Sequence, residues 1–236
     1  MKTIGLIGGM SWTSTMEYYR IINERVQNEL ERNHSAKIIL HSYDFEEIDR
    51  LQRDEQWNVL AEKIIAVAKD QAQMGAHFII LCSNTIHKVA KTVQKAINIP
   101  LLHIADSTAM KVLSTGRWRI ALLGSKYLMK DLEFIEKLEQ RYGLEIIRPS
   151  FAQQDFIHRV IYQELCSGQC TSSSSEKLKQ IIEDMVRDKG VEGVILGCTE
   201  IALLLRDSKS SVPLFDTVTL HAEAAADMSI YGDNFI

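Results

Sequence analysis

Two short segments end in side chains able to move a proton. Residues 79–85 read Ile-Ile-Leu-Cys-Ser-Asn-Thr, and residues 194–200 read Val-Ile-Leu-Gly-Cys-Thr-Glu. An offset of 198 − 83 = 115 superimposes them, which sets Ser83 opposite Cys198 and leaves Cys82 one residue early. Each is an apolar run closed by small polar residues, the pattern of a buried parallel strand that delivers side chains at its C-terminal end. Cys198 supplies a thiol, and its thiolate is favoured where it meets the exposed N–H groups of a helix start. The alternative reading is a buried structural cysteine. Ser83, Asn84 and Thr85 are dense in hydrogen-bonding groups. Asn84 and Thr85 suit a carboxylate, and they equally suit the cap of the helix that follows. Two matched groups from two similar halves could flank one substrate atom from both sides.

Other residues carry weaker signals. Gly8-Gly9-Met10-Ser11-Trp12 is a glycine turn after a strand. It is not GxGxxG, so dinucleotide binding is discounted; the turn either admits a ligand close to the backbone or is simply tight. Ser125 is the counterpart of Gly9 in the second half. His87 either orients a group at the site or packs and caps its helix. Asp106 and Asp216 follow the proline-led strands and suit caps more than acid or base work. Cys166 and Cys170 are four apart, on one face if helical, and no His or Cys cluster completes a metal site around them. They read as packing residues or exposed thiols. No His/Asp pair accompanies Cys198 at the expected strand tips, which counts against a thiol hydrolase.

The elements that must position these residues recur as well. Gly5-Leu6-Ile7-Gly8-Gly9 matches Ala121-Leu122-Leu123-Gly124-Ser125 at an offset of 116, and Ile99-Pro100-Leu101-Leu102 matches Val212-Pro213-Leu214-Phe215 at 113. Three matches in order, at nearly constant offset, indicate an internal duplication. Strands are expected over 2–7, 36–42, 77–81, 119–123 and 145–147. Helical spacing covers 13–31, 46–75, 87–97, 130–142, 156–165 and 176–189, with Gly143 and Gly190 as closing residues. The serine-rich run 171–175 reads as a polar loop capping the last of these helices. Strands alternating with helices predict an α/β fold with two pseudo-symmetric halves, each a parallel sheet flanked by helices.

Composition narrows the function. A chain of 236 residues has room for two small domains or one large one. Its net charge is −4, with no basic stripe or interleaved aromatics to bind nucleic acid. No apolar run approaches the length of about 18 residues needed to span a membrane. The first residues enter a strand-like run without a secretory signal, so a cytoplasmic location is expected, where no cysteine need be paired.

Gly8-Gly9-Met10, Asn84-Thr85-Ile86-His87 and Gly197-Cys198-Thr199-Glu200 together resemble the cofactor-independent aspartate/glutamate racemases, over nearly the whole chain. The similarity is greatest to bacterial amino-acid racemases that read Gly-Gly-Met-Ser-Trp near the start and Leu-Cys-Thr-Asn-Thr in the centre. The resemblance implies two α/β domains, residues 1–100 with 214–236 and residues 101–213, and a site in the interdomain cleft. It also implies a homodimer, a small amino-acid substrate, and neither pyridoxal phosphate nor metal. In most members the middle motif is Cys-Asn-Thr and its Cys is one acid/base; the other is the Cys of Gly-Cys-Thr-Glu, here Cys198. Carried over residue by residue, the first position is Ser83, as the internal repeat indicates independently. Strand alternation points Cys82 the other way. A threonine stands at the Ser83 position in the most similar subgroup.

That exchange has a chemical consequence. A thiol has a pKa of about 8.5 and can be tuned downward, whereas a serine hydroxyl is a far weaker acid. The two directions of a two-base racemisation are therefore expected to be unequal. The resemblance further implies substrate contacts at Met10, Gln52, Asn84, Thr85 and Thr199. Arg50 or Arg53 would be the stronger carboxylate partner on charge, but Gln52 matches the subgroup. The implied reaction interconverts L- and D-aspartate, with glutamate as a further candidate. The rival readings are a decarboxylase or cis-trans isomerase of the same superfamily, and an acidic amino-acid-binding protein without turnover.

Overall fold

The computed structural model describes residues 1–167, 169, 171–205 and 209–232. Cys170 lies outside them, as do residues 233–236 of the first expected domain. By contacts the chain divides into two units, Met1–Ile104 with Val218–Ile236, and Ala105–Thr217.

In the first unit the order is β1 (Ile4–Gly8), α1 (Trp12–Leu30), β2 (Ile38–Ser42), α2 (Phe45–Arg53), α3 (Trp57–Gln73), β3 (Phe78–Leu81), a 3₁₀ turn at Thr85–Val89 and α4 (Ala90–Ala96). The helix Thr217–Tyr231 completes it. The sheet is parallel in the order β2-β1-β3, and Ile79 bridges to Leu101 beyond β3. Every residue of β1 and β3 is buried, as expected of parallel strands covered on both faces. Strand alternation sorts them into two cores. Ile7, Ile79 and Leu81 pack in the layer of α2, α3 and α4, with Ile48, Leu60, Ile64 and Val93. Ile4, Leu6, Phe78, Ile80 and Cys82 pack in the layer of α1 and Thr217–Tyr231, with Tyr18, Ile22, Val26 and Ala222.

The second unit contains α5 (Ile104–Ser114), β4 (Arg119–Gly124), α6 (Lys126–Met129), α7 (Leu132–Glu136), β5 (Glu145–Ile147), α8 (Phe151–Gln163), α9 (Ser172–Lys189), β6 (Gly193–Gly197), α10 (Thr199–Leu205) and β7 (Leu214–Asp216). Its sheet is parallel in the order β5-β4-β6-β7. This is the order of the first unit with the Leu101 bridge extended into a strand. The expected α/β class, with two parallel sheets flanked by helices, is what the structure contains. In each unit the first strand runs beside the third, Ile7 next to Leu81 and Leu123 next to Leu196. The turn after β1 therefore lies beside Cys82–Thr85, and Ser125 lies beside Cys198. Among the described residues no helix is long and apolar enough to cross a membrane.

Caps account for the differences from the expected helices. Helix α8 starts at Phe151 rather than 156 because Ser150 and Gln153 form a reciprocal capping box: the Gln153 N–H donates to Ser150 Oγ at 3.4 Å and the Ser150 N–H to Gln153 Oε1 at 2.9 Å. The serine run is helix, not loop. Thr171 Oγ1 accepts the Ser174 N–H at 3.1 Å, so the cap sits ahead of the serines. The helix expected over 130–142 begins at Leu132, after Asp131 accepts the Phe134 N–H at 3.2 Å, and its last turn, Lys137–Arg141, is a π turn. The long stretch 46–75 is two helices, broken at 54–56.

Candidate active site

The tip of β1 depends on glycine. Gly9 has φ +85°, and a Cβ there would fall 2.2 Å from the Tyr43 carbonyl oxygen and 2.3 Å from its nitrogen. With no side chain in the way, the Tyr43 N–H donates to the Gly8 carbonyl at 3.1 Å and the Gly9 N–H donates to Thr15 Oγ1 at 2.8 Å. Met10 follows, buried in the same layer as α2 and α3.

Beside it, the Cys82 N–H donates to the Ile7 carbonyl at 2.9 Å and carries the ladder one residue past β3. The Cys82 side chain is fully buried among Phe78, Ile80 and the α1 layer, and this burial pushes its thiol pKa well up. Ser83 is half-buried, and its Oγ has no hydrogen-bond partner among the described residues. Asn84 is buried, and Thr85 opens the 3₁₀ turn.

His87 ties down the main chain of this tip. The Ile104 N–H donates to its Nε2 at 3.2 Å, so that nitrogen carries no proton, and Nδ1–H donates to the Ser83 carbonyl at 2.8 Å. The hydrogen bonds thus select one neutral tautomer. The ring is also packed edge-on to His103 and His221, at 4.6 and 5.5 Å between centroids. The packing reading describes His87, which also holds the main chain at Ser83.

On α2 the buried face holds Ile48, Asp49, Leu51 and Gln52. Gln52 is only 2% exposed, yet its amide has no hydrogen-bond partner among the described residues. Arg53 is already engaged by Glu46 at 2.8 Å and by Asp49 in a still closer contact, and Arg50 is exposed.

In the second unit the corresponding tip also depends on a glycine. A Cβ on Gly197 would fall 2.1 Å from Leu128 Cδ2, so its absence lets α6 close over the strand end. Ser125 caps α6 by accepting the Leu128 N–H at 3.2 Å. The Cys198 carbonyl accepts the Ala202 N–H at 3.1 Å and opens α10, with Thr199 buried at its first position. The thiol is 9% exposed and donates to Glu200 Oε2 at 3.1 Å. Its pKa lies well above the usual thiol value, through burial first and the Glu200 charge second; the Ile201 N–H pulls the other way. The helix-start effect expected from the sequence is therefore present but outweighed.

Asp106 lies in the first turn of α5, where it accepts the Tyr142 O–H at 2.7 Å and pairs with Lys137 at 3.1 Å, a structural tie within the unit. Cys166 is exposed, is in no disulfide, and acts electrostatically on the Cys198 thiol. Among the described residues no group of three or more His, Cys, Asp or Glu side chains is placed to hold a metal. Sequence reasoning missed Glu200 as a partner of the thiol. The only signal was its position two residues after Cys198.

Each unit thus carries a parallel sheet with a hydroxyl or thiol side chain at an equivalent strand end. The chain belongs to the Asp/Glu/Hydantoin racemase family, whose model matches residues 7–225. A crystallised Yersinia pestis protein assigned to the Asp/Glu racemases is 43% identical over 98% of this chain and all of that one, with a TM-score of 0.92. An aspartate racemase homologue from Pyrococcus horikoshii OT3 is 32% identical over 98% of this chain and 100% of its own, with a TM-score of 0.85. The broad-specificity amino-acid racemase RacX of Bacillus subtilis (strain 168) is 22% identical over 67% of each chain. Amino-acid racemisation, an isomerase reaction, is the activity class this family supports.

Proposed function

We propose that the protein is a racemase independent of pyridoxal phosphate. It interconverts L- and D-aspartate, with glutamate as a second substrate, by exchanging the Cα proton between Cys198 and Ser83. The observation that carries this reading is the equivalence of the two residues. Each is the second residue beyond a shared register point, Leu81 or Leu196, on the strand beside the first strand of its unit. The free Oγ of Ser83 supports it from one side, and the full burial of Cys82 removes the competing thiol. The α-ammonium group acidifies Cα–H, and preorganised donors stabilise the charge that develops on the carboxylate. Asn84, Thr85, Thr199, Gln52 and Met10 are the proposed substrate contacts. The same reading includes a homodimer in the cytoplasm. Chiral chromatography of L-aspartate and L-glutamate incubated with the protein tests the activity. Appearance of the D-isomer supports it, and no inversion of either amino acid overturns it.

Two substitutions separate binding from framework. Gln52→Ala should raise KM for aspartate roughly 10-fold with little change in kcat, the loss of about one hydrogen bond to a charged group. Initial-rate kinetics check this, and an unchanged KM removes Gln52 from the site. Cys82→Ala should keep turnover within about 2-fold of the parent while lowering unfolding stability by about 1 kcal/mol, the cost of a small core cavity. A large loss of turnover in a folded Cys82→Ala protein would move the second acid/base from Ser83 to Cys82.

A further inference from the structure

We propose that the second unit carries a binding site for a nucleoside monophosphate, in the cleft where β5 passes into α8. The proposal does not depend on the racemase reading. The cleft measures about 340 Å³, the size of a small-ligand site. Two exposed cations line it, Lys130 and Arg148. The Arg148 guanidinium donates to the Met129 carbonyl at 3.4 Å, which holds it close to Lys130. Among the described residues neither cation forms an ion pair. Asp155, the carboxylate that feels the charge of Lys130, is already in a close pair with Lys126. Ser150 and Phe151 bring the start of α8 to the same cleft. The capping box uses the Ser150 and Gln153 N–H groups, so the Phe151 and Ala152 N–H groups remain as first-turn donors without an intrahelical acceptor. Cations beside such donors favour a phosphate.

Two further features call for more than a bare anion. Gln154 lines the cleft and is only 5% exposed. Its Nε2–H donates to the Pro149 carbonyl at 2.8 Å, which fixes the amide, since the flipped amide would set two oxygens against each other. The Oε1 that remains has no hydrogen-bond partner. A buried carbonyl oxygen of this kind needs an N–H or O–H donor, which a phosphate dianion lacks. Phe151 also lines the cleft and is 80% exposed, with Ile147 and Pro149 beside it. The ring offers a stacking surface to a planar base, and its neighbours add an apolar wall. A phosphate joined to a planar body that carries N–H groups meets all three demands, and that is the chemistry of a nucleoside monophosphate. The plainer reading, solvated surface cations next to an exposed ring, predicts no selective binding.

Isothermal titration of the full chain tests this with adenosine and uridine monophosphates, their nucleosides, and inorganic phosphate. At least one nucleotide should bind, with its nucleoside and inorganic phosphate each weaker by about 10-fold or more. Lys130→Ala and Arg148→Ala should each weaken the nucleotide by about 10-fold, because each removes a charge-assisted contact. Phe151→Ala should weaken the nucleotide by about 5-fold and leave phosphate unchanged. All three side chains are exposed, so these substitutions leave the core intact. Lys179→Ala removes an exposed cation of α9 outside the cleft and should stay within about 2-fold of the parent. Absence of binding by both nucleotides at about 1 mM overturns the proposal. Phosphate that binds as tightly as the nucleotide also overturns it, since the cleft is then an anion site only. Nucleotide binding that neither Arg148→Ala nor Phe151→Ala moves overturns it as well, because the ligand then sits elsewhere.

Discussion

Replacing Cys198 with alanine should abolish turnover of both enantiomers, by about 10⁴-fold, while the fold persists. The size follows from what remains at the tip. Thr199 offers only a hydroxyl, and Glu200 loses the sulfur it contacts at 3.1 Å. Cys82 does not stand in, being fully buried in the core of the first unit. The cost in stability is small, about 1 kcal/mol, because the side chain removed is small and sits at a strand end. Steady-state assays in both directions, with circular dichroism and thermal unfolding as controls, check both halves of the expectation. A folded Cys198→Ala protein with near-parental activity removes this residue from the mechanism.

Changing Ser83 should unbalance the reaction rather than stop it. In Ser83→Ala, Cys198 still removes and returns the proton on its own face, so exchange continues from one enantiomer while inversion falls by roughly 100-fold or more. Ser83→Cys should do the reverse. A thiol ionises near pH 8.5, far below a hydroxyl, so the slower direction should quicken by about 10-fold and the two directions approach each other. The His87 bond to the Ser83 carbonyl at 2.8 Å holds the backbone in either variant, and neither substitution removes a hydrogen bond of Oγ. Rates measured separately from the L- and D-isomers test this. Parental inversion in Ser83→Ala would mean that the opposite face is served by another group.

The register of the repeat was legible because apolar runs ending in small residues can be aligned without coordinates. The offset of 115 between Ser83 and Cys198 reappears in β3 and β6, which start at Phe78 and Gly193. Strand alternation likewise consigned Cys82 to the core side, where it packs with Phe78 and Ile80. The start of α8 was also written in the chain, as Ser150 and Gln153 at capping-box spacing, but the apolar periodicity begins later and drew the boundary with it. The serine run looked like a loop by composition alone, since serine caps and serine first turns draw on the same residue type. The unpartnered amide of Gln52 and the Cys198–Glu200 contact were not legible, because both depend on side-chain direction and burial. The balance of forces on the thiol was hidden for the same reason. The helix start that favours the thiolate is local in sequence, and the burial that opposes it is not.

Proton NMR of each enantiomer of aspartate with the protein in D₂O tests the central claim most directly. The account predicts loss of the Cα–H signal from both enantiomers with inversion, faster in one direction, and no loss with Cys198→Ala. Retention of the Cα–H signal in both enantiomers, or exchange that survives intact in a folded Cys198→Ala protein, would contradict it.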